Sequence, residues 1–248
     1  MINAVLSSLG YRLTRKESGN TGKLVDISDA DVAVYQRVKP YTLTGPERVY
    51  ALSQAVRYVV RNDIPGAMVE CGVWKGGSMM AVALTLLGLG KQDRDLYLFD
   101  TFEGMPQPGE LDVAHDGITA AADFEKTKIS DDSSDWCRAP LDLVQRVVGS
   151  TGYDSSRIHL VKGKVEDTIP EAAPDRIALL RLDTDWYEST RHELEHLFPR
   201  LSAGGVIVID DYGHWQGARQ ATDEFLAKNN IPLLLNRIDY TARIGVKL

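Results

Sequence analysis

Short apolar runs alternate with amphipathic segments along most of the chain, and this alternation limits the folds that the chain can adopt. The apolar runs have the length of strands and occupy residues 67–71, 96–100, 158–161, 177–183, 206–210, 233–236 and 242–247. Segments with apolar residues three and four apart, which predict helices, lie at 46–62, 77–87, 141–148, 186–201 and 218–228. Strands that are apolar on both faces need helices on both sides of their sheet. The sequence therefore predicts a doubly wound α/β fold with a mostly parallel, seven-stranded sheet.

Acidic residues stand at the ends of four of these predicted strands. They are Glu70, Asp100, the pair Asp183 and Asp185, and the pair Asp210 and Asp211. In an open α/β sheet, ligands bind outside the carboxyl ends of the strands, which lie along one edge. We therefore expect a site lined by carboxylates at this edge.

The composition excludes several classes of protein. The 248 residues are 44% hydrophobic and 25% charged, which suits a globular chain with a substantial core. The 28 Lys and Arg against 35 Asp and Glu give a net charge of −7, so we expect no nucleic-acid partner. The two cysteines, Cys71 and Cys137, are too few for a disulfide framework or a four-cysteine zinc site. Without a long apolar run or a leader-like N-terminus, we expect a cytoplasmic protein with no membrane partner.

The negative charge is concentrated in one segment. Residues 101–135 hold nine acidic residues but only two basic ones, Lys126 and Lys128, so the segment carries a charge equal to that of the whole chain. Its prolines and glycines predict a loop in the first half, and a helix is expected near 120–128. Long connections of this kind are uncommon and often form lids, with a solvated surface insertion as an equal alternative. We expect a partly helical N-terminal arm at 1–45 and a main domain at 46–248, with a lid-like acidic insertion at 101–135.

Residues 192–196 spell the H-E-x-x-H pattern of zinc peptidases. Two histidines four residues apart share one face of a helix, but Leu194 and Leu197 of this helix belong to the opposite, apolar face. His192 and His196 are therefore expected to face solvent, and no third ligand is apparent. A zinc site is not expected here.

A glycine-rich turn follows the strand predicted at 67–71 and opens the next helix. Gly72, Gly76 and Gly77 allow a ligand to approach backbone N–H groups at a helix N-terminus, which favours an anionic group. The spacing is neither G-x-G-x-x-G nor a Walker loop, so a dinucleotide and a nucleoside triphosphate are disfavoured. With Glu70 and with Asp100, which is placed to bind ribose hydroxyls, the turn suits a nucleoside with a small charged tail. S-adenosylmethionine is such a ligand, and a tight turn without a ligand is the alternative.

The four aspartates at 183, 185, 210 and 211 terminate two strands that are expected to be neighbours. Carboxylates brought together repel one another unless protons or a cation lie between them. A hard divalent ion with oxygen ligands, Mg²⁺ for preference, is the simplest resolution, and capping of the following helices is the alternative. Asp183 and Asp185 also form a D-x-D pattern, which metal-dependent glycosyltransferases and some phosphatases use.

Four ordered motifs resemble those of the macrocin O-methyltransferase (TylF-like) family. They are 69–78 (VECGVWKGGS), 99–106 (FDTFEGMP), 182–190 (LDTDWYEST) and 209–213 (IDDYG). The resemblance implies a class I, Rossmann-like methyltransferase fold with an antiparallel last strand, S-adenosylmethionine as donor and Mg²⁺-dependent O-methylation. Known members methylate sugar hydroxyls of glycosylated natural products, often as oligomers. The resemblance therefore implies that the acceptor is a hydroxyl group of a small molecule, most simply a glycoside, and that the protein is a homo-oligomer.

The resemblance also assigns roles to residues. By this analogy Asp183, Asp210 and Asp211 bind the metal ion, and Asp185 is the general base. The residues implied to bind the cofactor are Glu70, Cys71, Gly72, Ser78, Asp100, Thr101, Gly163, Glu166 and Asp183. In that arrangement Glu70, Gly72 and Ser78 follow the methionine part, Asp100 meets the ribose, and the segment from Gly163 to Thr168 lies near the adenine.

Several roles and two other functions stay open at this point. His214 is a second candidate base, and the candidate aromatic walls are Trp74, Phe102, Tyr187, Tyr212 and Trp215. A metal-dependent glycosyltransferase would use the D-x-D pattern, but it leaves the glycine turn and Asp100 without roles. A non-catalytic cofactor-binding protein would not need the four aspartates.

Overall fold

The fold places helices on both faces of a central sheet. The computed structural model describes residues 26–248. The helices are α1 (Asp29–Val38), α2 (Pro46–Arg61), α3 (Gly77–Gly88), α4 (Ala120–Thr127), α5 (Leu141–Gly149), α6 (Val165–Thr168), α7 (Tyr187–Leu197) and α8 (Gln216–Lys228). The strands are β1 (Ala67–Cys71), β2 (Leu96–Asp100), β3 (Lys128–Ser130), β4 (Ser133–Ser134), β5 (Ile158–Lys162), β6 (Ile177–Leu182), β7 (Leu201–Ile209), β8 (Asn236–Arg237) and β9 (Arg243–Val246).

Seven strands form one sheet in the order β5-β2-β1-β6-β7-β9-β8. The strands from β5 to β7 in this order are parallel, and β9 runs antiparallel to both of its neighbours. In the register of β1 with β6, Glu70 lies opposite Arg181. The predicted doubly wound fold with an antiparallel last strand is therefore confirmed.

The two faces of the sheet carry separate apolar cores. In β1, Met68 belongs to the core beneath α2, α3 and α5, whereas Val69 belongs to the core beneath α7 and α8. Because successive side chains of a strand point to opposite faces, a strand covered on both sides has no position left for solvent. This is why the predicted strands lack polar alternation. No helix within residues 26–248 is both long enough and apolar enough to cross a membrane.

The junction between α7 and β7 differs from the prediction. The helix expected to reach residue 201 ends at Leu197, a 3₁₀ turn covers Phe198–Arg200, and β7 begins at Leu201. Pro199 explains the end of the helix, because a proline has no N–H group with which to continue the α-helical hydrogen bonds. Gly204 and Gly205, expected to precede the strand, lie inside β7, where its register with β6 shifts.

The described part of the N-terminal arm packs on the main domain. The Oγ atom of Ser28 accepts a hydrogen bond from the backbone N–H of Asp31 at 3.2 Å and caps α1. The Asp31 carboxylate pairs with Arg57 of α2 at 2.7 Å. Residues 1–25 of the predicted arm lie outside the described residues. The segment 41–44, which follows α1, reaches the carboxyl edge of the sheet.

The acidic insertion is tied to the main domain through Asp112. Its carboxylate accepts hydrogen bonds from the backbone N–H groups of Gly109 at 2.7 Å and of Tyr187, the first residue of α7, at 2.8 Å. The helix expected near 120–128 is α4. That the insertion acts as a lid stays a prediction.

These two hydrogen bonds predict an effect on stability. Asp112 is 2% exposed, so its replacement by alanine leaves two N–H groups without their acceptor. We expect the free energy of unfolding, measured by urea denaturation, to fall by about 2–4 kcal/mol. As the control, Glu110→Ala changes an exposed acid of the same insertion and should shift it by less than about 0.5 kcal/mol. An unchanged stability for Asp112→Ala would show that this carboxylate does not anchor the insertion.

Candidate active site

A cavity of about 290 Å³ opens at the carboxyl ends of β1, β2, β6 and β7. All of the residues predicted to bind cofactor or metal line it, except Glu70 and Cys71. These two side chains are buried behind its wall, at 1% and 0% exposure. The topology thus brings four strand ends together at the predicted edge.

Close backbone packing explains the glycine turn. Gly72 has a φ of +80°, and a Cβ atom there would lie 2.0 Å from the carbonyl oxygen of Asp183. A Cβ atom at Gly77 would lie 2.4 Å from the carbonyl oxygen of Tyr41, so the arm rests on the start of α3. Gly77 and Ser78 line the cavity at this helix N-terminus, where an anionic group is favoured.

The carboxylate of Asp100 joins the ends of β1 and β2. Its Oδ2 atom accepts hydrogen bonds from the backbone N–H groups of Val73 at 2.6 Å and Trp74 at 3.1 Å. Its Oδ1 atom accepts one from the N–H of Phe102 at 2.7 Å. Burial raises the pKa of this carboxyl, and the three N–H groups oppose the rise. The Thr101 hydroxyl lies 3.5 Å from Oδ1 and donates to the carbonyl oxygen of Gly104 at 2.7 Å. Since an ionised carboxylate offers about four acceptor positions, the position facing Thr101 is the weakly used one.

A buried arginine lies beneath the cavity. Arg181, the residue before the last in β6, donates hydrogen bonds through Nη1 to Glu70 at 2.6 Å and Asp183 at 2.7 Å. Its Nη2 atom forms an ion pair with Asp210 at 2.8 Å. Burial raises the pKa of Glu70 to about 7, although Arg181 opposes the rise. Arg181 was not among the predicted site residues, although a basic residue inside an otherwise apolar strand was an available signal.

Asp210 faces a second arginine. Arg48 of α2 pairs with Asp210 and, through Nε, with Asp239 at 2.9 Å. Both carboxylate oxygens of Asp210 therefore face guanidinium groups. The sequence offered no signal for Arg48, because a basic residue on an amphipathic helix is typical of a solvent-facing position.

Three other acids form a cluster that suits a cation. Asp183, Asp185 and Asp211 are half-buried, and one carboxylate oxygen from each lies within 4.8 Å of the others. Desolvation raises the pKa of Asp185 to about 7, and the charges of Asp183 and Asp210 add to the rise. Burial and the neighbouring acids also raise the pKa of Asp211.

This donor set fits a hard divalent ion. The Oδ2 atom of Asp211 is buried without a hydrogen-bond partner among the described residues. Carboxylate oxygens are the ligands that Mg²⁺ prefers, and the ion would relieve the repulsion among the acids. Two of the three predicted metal ligands, Asp183 and Asp211, thus lie beside Asp185, whereas Asp210 is engaged by arginines.

Aromatic side chains form part of the cavity wall. Trp136, Trp186 and Trp215 pack with ring centroids 5.1, 5.6 and 6.0 Å apart, and the first and last of them line the cavity. His214 lines it as well, and burial and the nearby His115 lower its pKa. Of the predicted aromatic walls, Trp74 and Trp215 line the cavity, whereas Phe102, Tyr187 and Tyr212 lie outside its lining. Trp136 was not predicted.

The H-E-x-x-H pattern lies on α7. His192 is half-buried rather than solvent-facing, because its Nε2 atom lies 2.9 Å from the carbonyl oxygen of Ile169. Within residues 26–248, the group of acids close enough together to hold a cation contains neither His192 nor His196. Nothing in the described structure supports a zinc site at this pattern.

In the sheet, β9 lies between β7 and β8 and runs antiparallel to both. This strand order and the cavity at the carboxyl edge define a class I, S-adenosylmethionine-dependent methyltransferase. Comparison with known proteins gives the family. The chain belongs to the macrocin O-methyltransferase (TylF) family, which it matches over residues 14–244.

Individual relatives agree with this assignment. The chain is 33% identical over 225 residues to the 8-demethyl-8-(2,3-dimethoxy-alpha-L-rhamnosyl)-tetracenomycin-C 4'-O-methyltransferase of Streptomyces olivaceus, covering 86% of this chain and 79% of that protein. It is 32% identical over 201 residues to the demethyldecarbamoylnovobiocin O-methyltransferase of Streptomyces niveus, covering 80% and 72%. The solved structure of the O-methyltransferase NovP superposes with a TM-score of 0.73 at 29% identity, covering 84% of this chain and 82% of that one.

The chain is therefore an S-adenosylmethionine-dependent O-methyltransferase. The predicted resemblance to the TylF-like family is confirmed. The D-x-D pattern of Asp183 and Asp185 lies at the end of β6 in a methyltransferase sheet, so the comparisons favour neither a glycosyltransferase nor a phosphatase.

The network around Arg181 predicts a large loss of stability when it is broken. Arg181→Met leaves the acids of β1, β6 and β7 without their shared cation. We expect the free energy of unfolding to fall by about 3–5 kcal/mol. Arg191→Met is the matched control, because the ion pairs of Arg191 with Glu188 and Glu195 on α7 are partly exposed, and it should cost less than about 1 kcal/mol. Equal losses for the two variants would contradict the role given to Arg181.

Proposed function

We propose that the protein methylates a sugar hydroxyl of a glycosylated natural product, with S-adenosylmethionine as donor and Mg²⁺ as a further requirement. The observation that carries this proposal is the cluster of Asp183, Asp185 and Asp211 at the wall of a nucleoside-sized cavity. The Streptomyces olivaceus relative is named for the 4'-position of a rhamnosyl tetracenomycin, which supports a sugar hydroxyl as the acceptor.

The cofactor would lie along the floor of the cavity. Gly72 and Ser78 are placed for the methionine part, Asp100 for the ribose, and Gly163 with Glu166 for the adenine end. Glu70 lies behind the wall and pairs with Arg181, so we propose that it acts by holding that arginine rather than by touching the cofactor.

Asp183 and Asp211, with Asp185 beside them, would hold Mg²⁺. A bound Mg²⁺ supplies a Lewis acid that lowers the pKa of an alcohol. Asp210, expected from the resemblance to be a third ligand, faces Arg48 and Arg181 instead. We propose that Asp210 keeps these two arginines in place.

Asp185 would act as the general base. The sulfonium methyl group is already electrophilic, so the protein must mainly align the acceptor oxygen for in-line attack. As the new carbon–oxygen bond forms, the carbon–sulfur bond breaks and S-adenosylhomocysteine leaves. The hydroxyl proton passes to the Asp185 carboxylate, which lines the cavity beside Asp211. Trp136 and Trp215 line the same cavity and would limit the access of water to it.

Calorimetric titration with S-adenosylhomocysteine, followed by a methylation assay on glycosides, tests this function. We expect micromolar binding, about −8 kcal/mol, and a mass gain of one methyl group on an accepted glycoside. Removal of divalent ions with EDTA should abolish methyl transfer, and added Mg²⁺ should restore it. UDP-sugars are the control ligands. Mg²⁺-dependent binding of a UDP-sugar without binding of S-adenosylhomocysteine would overturn the proposal, and methylation that survives EDTA would remove the metal from it.

The role of Asp185 predicts a rate effect without a binding effect. Asp185→Asn keeps the size of the side chain but removes the proton acceptor. We expect the single-turnover rate at saturating cofactor to fall by about 10²-fold or more, with cofactor affinity unchanged within about threefold. His214→Gln is the comparison, because His214 is the other candidate base at the cavity. A near-normal rate for Asp185→Asn beside a slow His214→Gln would transfer the role to the histidine.

A further inference from the structure

Glu193, the acid of the H-E-x-x-H pattern, has no part in the function described so far. It lies on α7 and is 0% exposed. Acidic side chains are seldom fully buried unless they are paired or hydrogen-bonded. The described side chains that act on its carboxyl group most strongly are those of Thr184, Glu166, Cys71 and Asp211, and none of them is basic, so its burial needs another explanation.

The explanation lies in the turn that follows β6. The hydroxyl group of Thr184 donates a hydrogen bond to Oε1 of Glu193 at 3.0 Å. The thiol group of Cys71, the last residue of β1, lies next to the carboxyl group of Glu193 as well. Glu193 therefore reaches from α7 to the residue that stands between Asp183 and Asp185.

The conformation of this turn, at residues 183–186, depends on contacts with residues outside it. The N–H of Asp183 donates to the carbonyl oxygen of Cys71 at 2.9 Å, and the N–H of Trp186 donates to that of Thr184 at 2.8 Å. Between them Asp185 has a φ of +69°, in the left-handed region that non-glycine residues seldom adopt. Strained residues of this kind persist only where surrounding contacts determine their conformation.

We propose that Glu193 is a positioning residue for methyl transfer: through its hydrogen bond with Thr184 it fixes the turn that carries Asp183 and Asp185. This inference rests on the proposed function, since it gives Glu193 a role in placing the general base and the cation-binding acids. Glu193 itself touches neither the cofactor nor the acceptor.

The electrostatics of the site agree with a hydrogen-bonding role. Burial raises the pKa of Glu193 well above its usual range, and the nearby Glu166 adds to the rise. The neutral form is thereby favoured, so that Glu193 holds Thr184 without adding a charge to the acidic cluster. Glutamine offers the same acceptor without a charge, and it should replace Glu193 with little effect.

Four variants test the proposal. Thr184→Val and Glu193→Leu each remove one partner of the hydrogen bond, whereas Thr184→Ser and Glu193→Gln each keep it. We expect the first two to lower kcat by about tenfold or more, because small misplacements of reacting groups are costly. The KM for S-adenosylmethionine and the affinity for S-adenosylhomocysteine should stay within about twofold. Mg²⁺ affinity, measured by calorimetry, should fall in the same two variants. The serine and glutamine variants should restore both readouts to within about threefold of the wild type.

The double variant Thr184→Val/Glu193→Leu separates positioning from general damage. If the two residues act through one hydrogen bond, its kcat should be no lower than that of the slower single variant. Glu195→Gln, a half-buried acid of the same helix that pairs with Arg191, is the matched control and should leave kcat unchanged.

The outcomes distinguish this inference from the function beneath it. A wild type that methylates glycosides while Thr184→Val keeps full kcat and Mg²⁺ affinity would overturn the positioning role alone. Multiplying losses in the double variant, or a Glu193→Gln as slow as Glu193→Leu, would overturn it as well. A wild type that neither binds S-adenosylhomocysteine nor transfers methyl groups would overturn the proposed function and the inference together.

Discussion

One buried guanidinium group holds together the edge of the sheet on which the site is built. Arg181 joins acids from the ends of three strands, Glu70 of β1, Asp183 after β6 and Asp210 after β7. Burying such charges is costly, and only hydrogen-bonded pairing with opposite charges makes it tolerable. A shift of any one strand would leave a buried charge unpaired. The relative positions of the three strand ends, and with them the floor of the cavity, therefore depend on this residue.

The arginines also divide the acids of this edge into two groups. Arg48 and Arg181 occupy both oxygens of Asp210, while Asp185 and Asp211 have no basic partner within the described residues. Burial and the neighbouring acids raise the pKa of both carboxyls, which makes a cation the favourable occupant. Asp210 thus stabilises the sheet edge, Asp185 and Asp211 are left available for chemistry, and Asp183, which pairs with Arg181, belongs to both groups.

Much of this arrangement was predictable from local patterns. The strands β1 and β2 occupy the predicted residues 67–71 and 96–100, because a strand covered on both faces is apolar at most of its positions. The prediction that acids at strand ends meet along one edge needed only the parallel topology. Prediction from local patterns failed where contacts with neighbouring elements decide the structure. Pairing with β6 makes β7 begin at Leu201, before the glycine pair, and His192 is half-buried because it contacts the carbonyl group of Ile169.

By itself, the sequence determined the fold class, the family and the edge at which the acids gather, because these follow from periodicity and from motifs that are contiguous in the chain. Only the tertiary structure decided which acids form ion pairs with each arginine. Glu70 and Arg181 are 111 residues apart in the chain, and Arg48 and Asp210 are 162 apart. It also decided that Glu193 faces inward, on a helix whose two histidines were expected to face solvent. No local pattern encodes such pairings, since they arise only when strands and helices from distant parts of the chain meet at one edge.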